Sequence, residues 1–233
     1  MELQKITDSN SISSKRSYED ACGAAHALDL IGERWALLVM RELMLGPKRF
    51  NDLRRDLPGI SANVLTQRLE GLEAAGVLAR RRLPPPASTQ VYALTPWGHE
   101  AEPILQVLGR WAARSPSHDP RLPLSAVSLL LSFRTMVDPA RAAGLEIKAG
   151  FRIGPESYEV HVADGGVEAE RGTPEQADFI LTGPATAIAA AVYGGVPLDA
   201  LEAEGALKVE GDRGAAETFA TLFPLPPKVG AAD

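Results

Sequence analysis

A single cysteine, Cys22, stands in the 233 residues, so no intramolecular disulfide framework can form. The longest apolar runs, such as residues 127–131, fall far short of the ~20 residues that span a bilayer, and no membrane partner is expected. The four histidines, His26, His99, His118 and His161, show no HExxH or other ligand spacing, and neither GxxxxGK nor GxGxxG occurs. Cys22 has no evident partner base. Catalysis, a bound metal and a cofactor are therefore not expected. Residues 1–17 lack the charged-then-apolar layout of a secretory signal and read as a flexible lead-in, which makes the cytoplasm the expected compartment.

What is present is 45% hydrophobic content and a net charge of −6, unevenly placed. Residues 1–115 carry 15 Lys/Arg against 13 Asp/Glu, whereas 116–233 carry 9 against 17. Only the first half suits a polyanion, and within it residues 41–82 hold nine basic side chains against five acidic ones. Such a run is commonly just a solvated face, so its placement must decide its meaning. Three prolines among small polar residues at 116–123 mark a linker between two domains, 18–115 and 124–226, and residues 227–233 read as a tail that trails off.

In the first domain, Leu28, Ile31, Trp35, Leu38, Val39 and Leu43 recur at helical spacing, with Gly32 dividing a short helix from a longer one and Gly46-Pro47 ending it. Phe50, Leu53 and Leu57 form the inner face of a two-turn helix closed by Pro58-Gly59. Ser61 then caps a second helix with Leu65, Leu69 and Leu72 inward. Two short helices joined by so tight a turn predict a helix-turn-helix. The outer face of its second helix is candidate base-reading surface: Ser61, Ala62, Asn63, Thr66, Gln67 and Arg68. Asn and Gln amides can bond bidentately to adenine, and small neighbours allow close approach in the major groove. An ordinary polar helix face would look the same in isolation. The context is a β-hairpin after Gly76, with Arg80, Arg81 and Arg82 on one strand and Ser88, Thr89 and Gln90 at the return. A ribbon in that position is a wing whose cations, with Lys48 and Arg49, lie against phosphates. Thr95-Pro96 opens a last helix, where Ile104, Leu105, Leu108 and Trp111 make a broad apolar stripe that, with the N-terminal helix, is expected to form a two-fold interface; packing on its own core and the linker would present the same stripe.

The run Ala27-Leu28-Asp29-Leu30-Ile31-Gly32-Glu33-Arg34-Trp35, then Arg41-Glu42-Leu43, Gly46-Pro47-Lys48-Arg49-Phe50-Asn51-Asp52-Leu53, Leu57-Pro58-Gly59-Ile60-Ser61 and Leu65-Thr66-Gln67-Arg68-Leu69 resembles the HxlR-type winged helix-turn-helix regulators, over residues 18–114. The resemblance implies a homodimeric transcription regulator, a repressor or local activator, on near-palindromic operator DNA. It also places Cys22 where some members carry an oxidant-sensing cysteine, although Gly23 follows where those members usually have proline and no second cysteine is present to resolve a sulfenate.

The second domain reads as α+β. An apolar helix over 126–137 precedes alternating strands at 145–153, 157–163 and 167–171, a strand at 178–182, a helix at 185–193, a strand at 206–210 and a closing helix capped by Asp212. Ala206-Leu207-Lys208-Val209-Glu210-Gly211-Asp212 and the residues up to Pro226 resemble the closing strand and helix of sterol-carrier-type lipid-binding domains. That resemblance implies a tunnel for a small hydrophobic effector, with Leu130, Phe133, Phe151, Tyr158, Phe179, Ile188 and Tyr193 as its lining; plain core would present the same residues. A hydrophobic-ligand carrier with an N-terminal protein-interaction module is the rival reading, and a thiol switch at Cys22 the second rival.

Overall fold

The computed structural model describes residues 17–83 and 89–230. Its first half runs α1 (Gly23–Ile31), α2 (Ala36–Leu43), α3 (Phe50–Asp56), α4 (Ala62–Ala74), β1 (Leu78–Arg82), β2 (Gln90–Leu94), α5 (Pro96–His99) and α6 (Glu102–Ala113). Gly59 holds φ +93°, a left-handed conformation that lets the chain turn sharply between α3 and α4. The Ser61 hydroxyl accepts from the Val64 N–H and Thr95 does the same for Gly98, so both predicted caps form. Gly98 also has a steric reason: a Cβ there would lie 2.1 Å from the Val77 carbonyl oxygen. Pro103, in the first turn of α6, has no N–H for the His99 carbonyl, and the last predicted helix is broken in two at Glu100-Ala101. β1 and β2 pair antiparallel from Leu78↔Leu94 to Arg82↔Gln90, and Lys48 adds a bridge to Tyr92.

The second half runs α7 (Ala126–Met136), α8 (Pro139–Ala142), β3 (Ile147–Ile153), β4 (Glu156–Ala163), β5 (Gly166–Arg171), β6 (Phe179–Thr182), α9 (Ala185–Gly194), α10 (Leu198–Ala203), β7 (Lys208–Gly211) and α11 (Arg213–Ala220). The sheet order is β5-β4-β3-β6-β7, with β3 and β6 parallel and the other neighbours antiparallel. Tyr158, Val160 and Val162 alternate inward with Ala149 and Phe151 toward α7, α9 and α11, which cover one face. The predicted α+β architecture is present, with α8 and α10 as short additions.

Two features of the chain's organisation add to the expectation. The halves are packed together: α7 packs on α2 and α6 as well as on β5, and the buried apolar residues form one cluster through both. The tail is tied down as far as Gly230: Lys228 Nζ donates to the carbonyls of Ala113, Ser115 and His118 at 3.0–3.2 Å, and the Val229 N–H to that of Arg114 at 2.8 Å. An ammonium at a helix C-terminus satisfies carbonyls that have no partner within the helix, and so the tail closes α6.

Candidate nucleic-acid interface

The inner face of α4 is fixed by Leu65, Leu69 and Leu72, all buried against α2, β1 and the domain core. Its helical period leaves Asn63, Thr66, Gln67 and Glu70 exposed and Ala62 half-exposed on the opposite side. No described element covers that side. On the adjoining ribbon, Arg81 and Arg82 are exposed and make no ion pair among the described residues, and Arg49, at the cap of α3, is equally free. Arg80 is committed in part: its Nε lies 2.9 Å from Glu73, and its guanidinium stands 5.9 Å from the Tyr92 ring. Gln90 is exposed and reaches the Tyr92 hydroxyl at 3.4 Å, and the Thr89 carbonyl accepts from the Leu83 N–H at 2.9 Å. Ser88 lies outside the described residues.

Two of the predicted contacts are placed differently. Lys48 is no phosphate clamp, because its side chain is 1% exposed and its Nζ sits 2.9 Å from Glu42 Oε2 and 2.6 Å from Asp56 Oδ2. Burial of an ammonium requires such pairing, and the backbone bridge to Tyr92 draws Lys48 under the ribbon. Arg68 pairs with Glu33 at 3.0 Å on the flank of α4, where it ties the helix to the α1–α2 turn instead of facing outward. The charge network around Lys48 continues on both sides. Arg41 donates twice to Glu42, Arg55 donates to Asp52 and Asp56, and Ser125, the cap of α7, donates to Glu42 Oε1 at 2.6 Å. Burial pushes the Asp56 carboxyl up, but hydrogen bonds from Arg55 and Lys48 outweigh it and hold the group below its usual range.

On α6, Ile104, Leu108 and Trp111 are exposed as predicted, whereas Leu105 turns inward onto the core. Val107, missed from sequence, completes the stripe; it and Trp111 are each 71% exposed. The 104, 107, 108, 111 spacing alone would have found it. Helix α1 has no buried residue and exposes Leu28. Cys22 caps α1 in the open, and hydrogen bonds from the backbone of Ala25 and Ala24 hold its thiol below the ordinary value.

The seven residues read as a tunnel lining do come together, but they occupy the space themselves. Leu130, Phe133, Phe151, Tyr158, Phe179 and Ile188 are all fully buried. Phe133 stacks at 5.6 Å from Phe151 and 6.5 Å from Tyr193, while Phe219 and Phe223, both missed, fill the centre at 5.3 and 4.8 Å from Phe133. Only Tyr193 reaches a cavity, one of about 420 Å³ shared with Val192, Leu198 and Phe223, and its hydroxyl pairs with Ser132 at 2.6 Å.

Comparison with known proteins bears on both halves. Residues 30–119 match the family of HxlR-like helix-turn-helix domains. The HTH-type transcriptional regulator YvaP of Bacillus subtilis is 36% identical over 86 residues, which are 37% of this chain and 80% of that protein. The chain belongs to the HxlR-like helix-turn-helix family. The HTH-type transcriptional regulator YodB of the same organism is also 36% identical over 86 residues, covering 37% of this chain and 77% of its own. The HxlR-like half is followed by residues 122–228, which match the alkyl sulfatase C-terminal family and not the sterol-carrier-type domains expected from the closing strand and helix. In solved structures, a sec-alkylsulfatase, Pisa1 from a Pseudomonas species, aligns with 15% identity and TM-score 0.39 over 42% of this chain and 16% of its own. Among the described residues no group of His, Cys, Asp and Glu is placed to hold a metal, and no helix is long and apolar enough to cross a membrane.

Proposed function

We propose that this HxlR-like chain is a cytoplasmic, homodimeric repressor that binds operator DNA through α4 and the wing. The uncovered polar face of α4, flanked by the unpaired Arg49, Arg81 and Arg82, carries this reading. Asn63, Thr66 and Gln67 enter the major groove, and the arginines fix register on phosphates. The paired half-sites of an operator require two copies of α4, and the apolar stripes of α6 and α1 supply the two-fold contact. Fluorescence anisotropy with labelled DNA flanking its own gene tests the assignment. Three phosphate-contacting arginines per subunit make about six per dimer, so log K should fall with log salt at a slope near −5. Gln67→Ala should relax base preference, with a loss of about 1–3 kcal/mol on the preferred site, whereas Arg81→Ala should weaken every sequence alike and flatten the slope. Absence of a complex at low salt overturns the reading.

The C-terminal domain takes an apolar effector in this scheme. The cavity beside Tyr193 supports that role. A thiol switch is a second reading, favoured by the exposed, acidified Cys22; Cys22→Ser should then abolish any diamide response of DNA binding.

A further inference from the structure

A crevice of about 440 Å³ lies where the winged helix meets the C-terminal domain, within the size range of small-molecule sites. Trp35, Leu38 and Leu124 give it an apolar, partly aromatic wall drawn from both domains. Trp35 holds φ +80°, a left-handed conformation that bulky residues rarely adopt and that gathers at ligand clamps.

The polar end has a one-sided hydrogen-bonding capacity. Its carboxylate, and the one just behind it, are already engaged by cations: Asp56 takes Arg55 Nε on one oxygen and Lys48 Nζ on the other, and the buried Glu42 Oε1 takes Arg41 Nε, Arg41 Nη2 and the Ser125 hydroxyl. Donors remain. Arg41 Nη1 and the Ser128 hydroxyl have no partner among the described residues, and both residues line the crevice. An ammonium would meet carboxylates that already hold cations, whereas a carboxylate finds a free guanidinium edge and a hydroxyl beneath an aromatic ring.

We propose that this crevice binds a small aromatic or alicyclic carboxylic acid and that its occupancy alters DNA affinity. The occupant sits between α2–α3 and the start of α7, across the gap spanned by the Ser125–Glu42 hydrogen bond. From Glu42 the ionic chain runs through Lys48 to Asp56 at the end of α3, the helix that leads into α4. A ligand that fits one arrangement of α7 against α2 better than another shifts the position of the reading helix. This second half of the proposal rests on the operator-binding reading of α4; the binding half does not.

The full chain titrated calorimetrically with 2-naphthoate, with 2-naphthamide as the uncharged control, tests the site. One acid per chain is expected, with the amide at least tenfold weaker. Leu38→Trp and Ser128→Phe, both of which fill the crevice, should each abolish binding at an unchanged melting temperature. No heat at millimolar acid, equal affinity for acid and amide, or undiminished binding in whichever filled variant remains folded overturns the site. Anisotropy with labelled promoter DNA then reads the coupling. A fivefold or larger change on adding 2-naphthoate is expected; binding of acid with unaltered DNA affinity overturns the regulatory half. Acid binding in a chain that binds no DNA under any condition leaves the site standing and removes the operator reading.

Discussion

The Lys48 ammonium lies between two carboxylates in the core of the winged helix, and its removal leaves the buried Glu42 with the Arg41 guanidinium as its one remaining counter-charge among the described residues. Breaking a buried pair from one side costs about 3–5 kcal/mol. Lys48→Ala should therefore lower the unfolding free energy measured in urea by about that amount while leaving the salt slope of DNA binding unchanged, the opposite of what a phosphate contact would do. The same cluster sets an acid limit. Because the Asp56 carboxyl is held below its unfolded value, its contribution to stability is complete above the unfolded pKa of about 3.9 and is lost as pH falls through the lower folded value. Urea denaturation between pH 6 and 3 should show stability falling at the acid end, with a shallower fall in Asp56→Asn. None of this was legible in the sequence. Glu42, Lys48 and Asp56 stand six and eight residues apart on different elements, and a lysine in a basic run looks the same whether it points to solvent or into a core. Asn63, Thr66 and Gln67 were legible because a helical period with leucines at 65, 69 and 72 leaves them only one side to occupy.

At the scale of elements, caps and breakers carried the reading. Ser61, Thr95 and Asp212 each cap the helix they were expected to start, since a side-chain oxygen before an apolar period has few other uses. The break between α5 and α6 follows from Pro103, whereas the need for Gly98 was not legible, because the clash a Cβ would meet there comes from Val77, a residue distant in sequence. The tunnel lining was found as a set of residues but not as a space: periodicity reports which side chains face inward, and Phe219 and Phe223 decide whether room is left among them. The exposed stripe on α6 has its own consequence. A nine-residue α1 with nothing buried is marginal alone, and Val107 and Trp111 stand in water on α6. Pairing of these faces across a two-fold axis removes both defects. Val107→Glu with Trp111→Glu should convert the proposed dimer to a monomer in sedimentation velocity and, by loss of the second α4, weaken operator binding at least a hundredfold. A double variant that still sediments as a dimer would place the interface elsewhere.

At the scale of the whole molecule, the linker that composition marks between two domains runs beside a packed boundary between them. Helix α7 belongs to both cores, and its neighbours across the boundary are held by Glu102–Arg134 at 2.7 Å, Arg110 on the Thr135 carbonyl at 2.8 Å and the Ser125–Glu42 contact. The tail returns from α11 to close α6, so the last residues of the C-terminal half grip the last turn of the N-terminal one. Multidomain chains commonly unfold in steps, which makes cooperativity a discriminating measurement here. Phe219→Ala opens a cavity in the aromatic cluster of the C-terminal domain and should cost about 3–5 kcal/mol. If the two cores are one, calorimetry at fixed protein concentration should show a single transition shifted downward. Amide exchange in α4, far from the substitution, should accelerate by the same free energy as exchange in β3. A second transition, or exchange in α4 that ignores the lesion, would show that the winged helix keeps its own stability. A signal from the C-terminal domain would then have to reach the DNA-reading helix by some route other than the shared core.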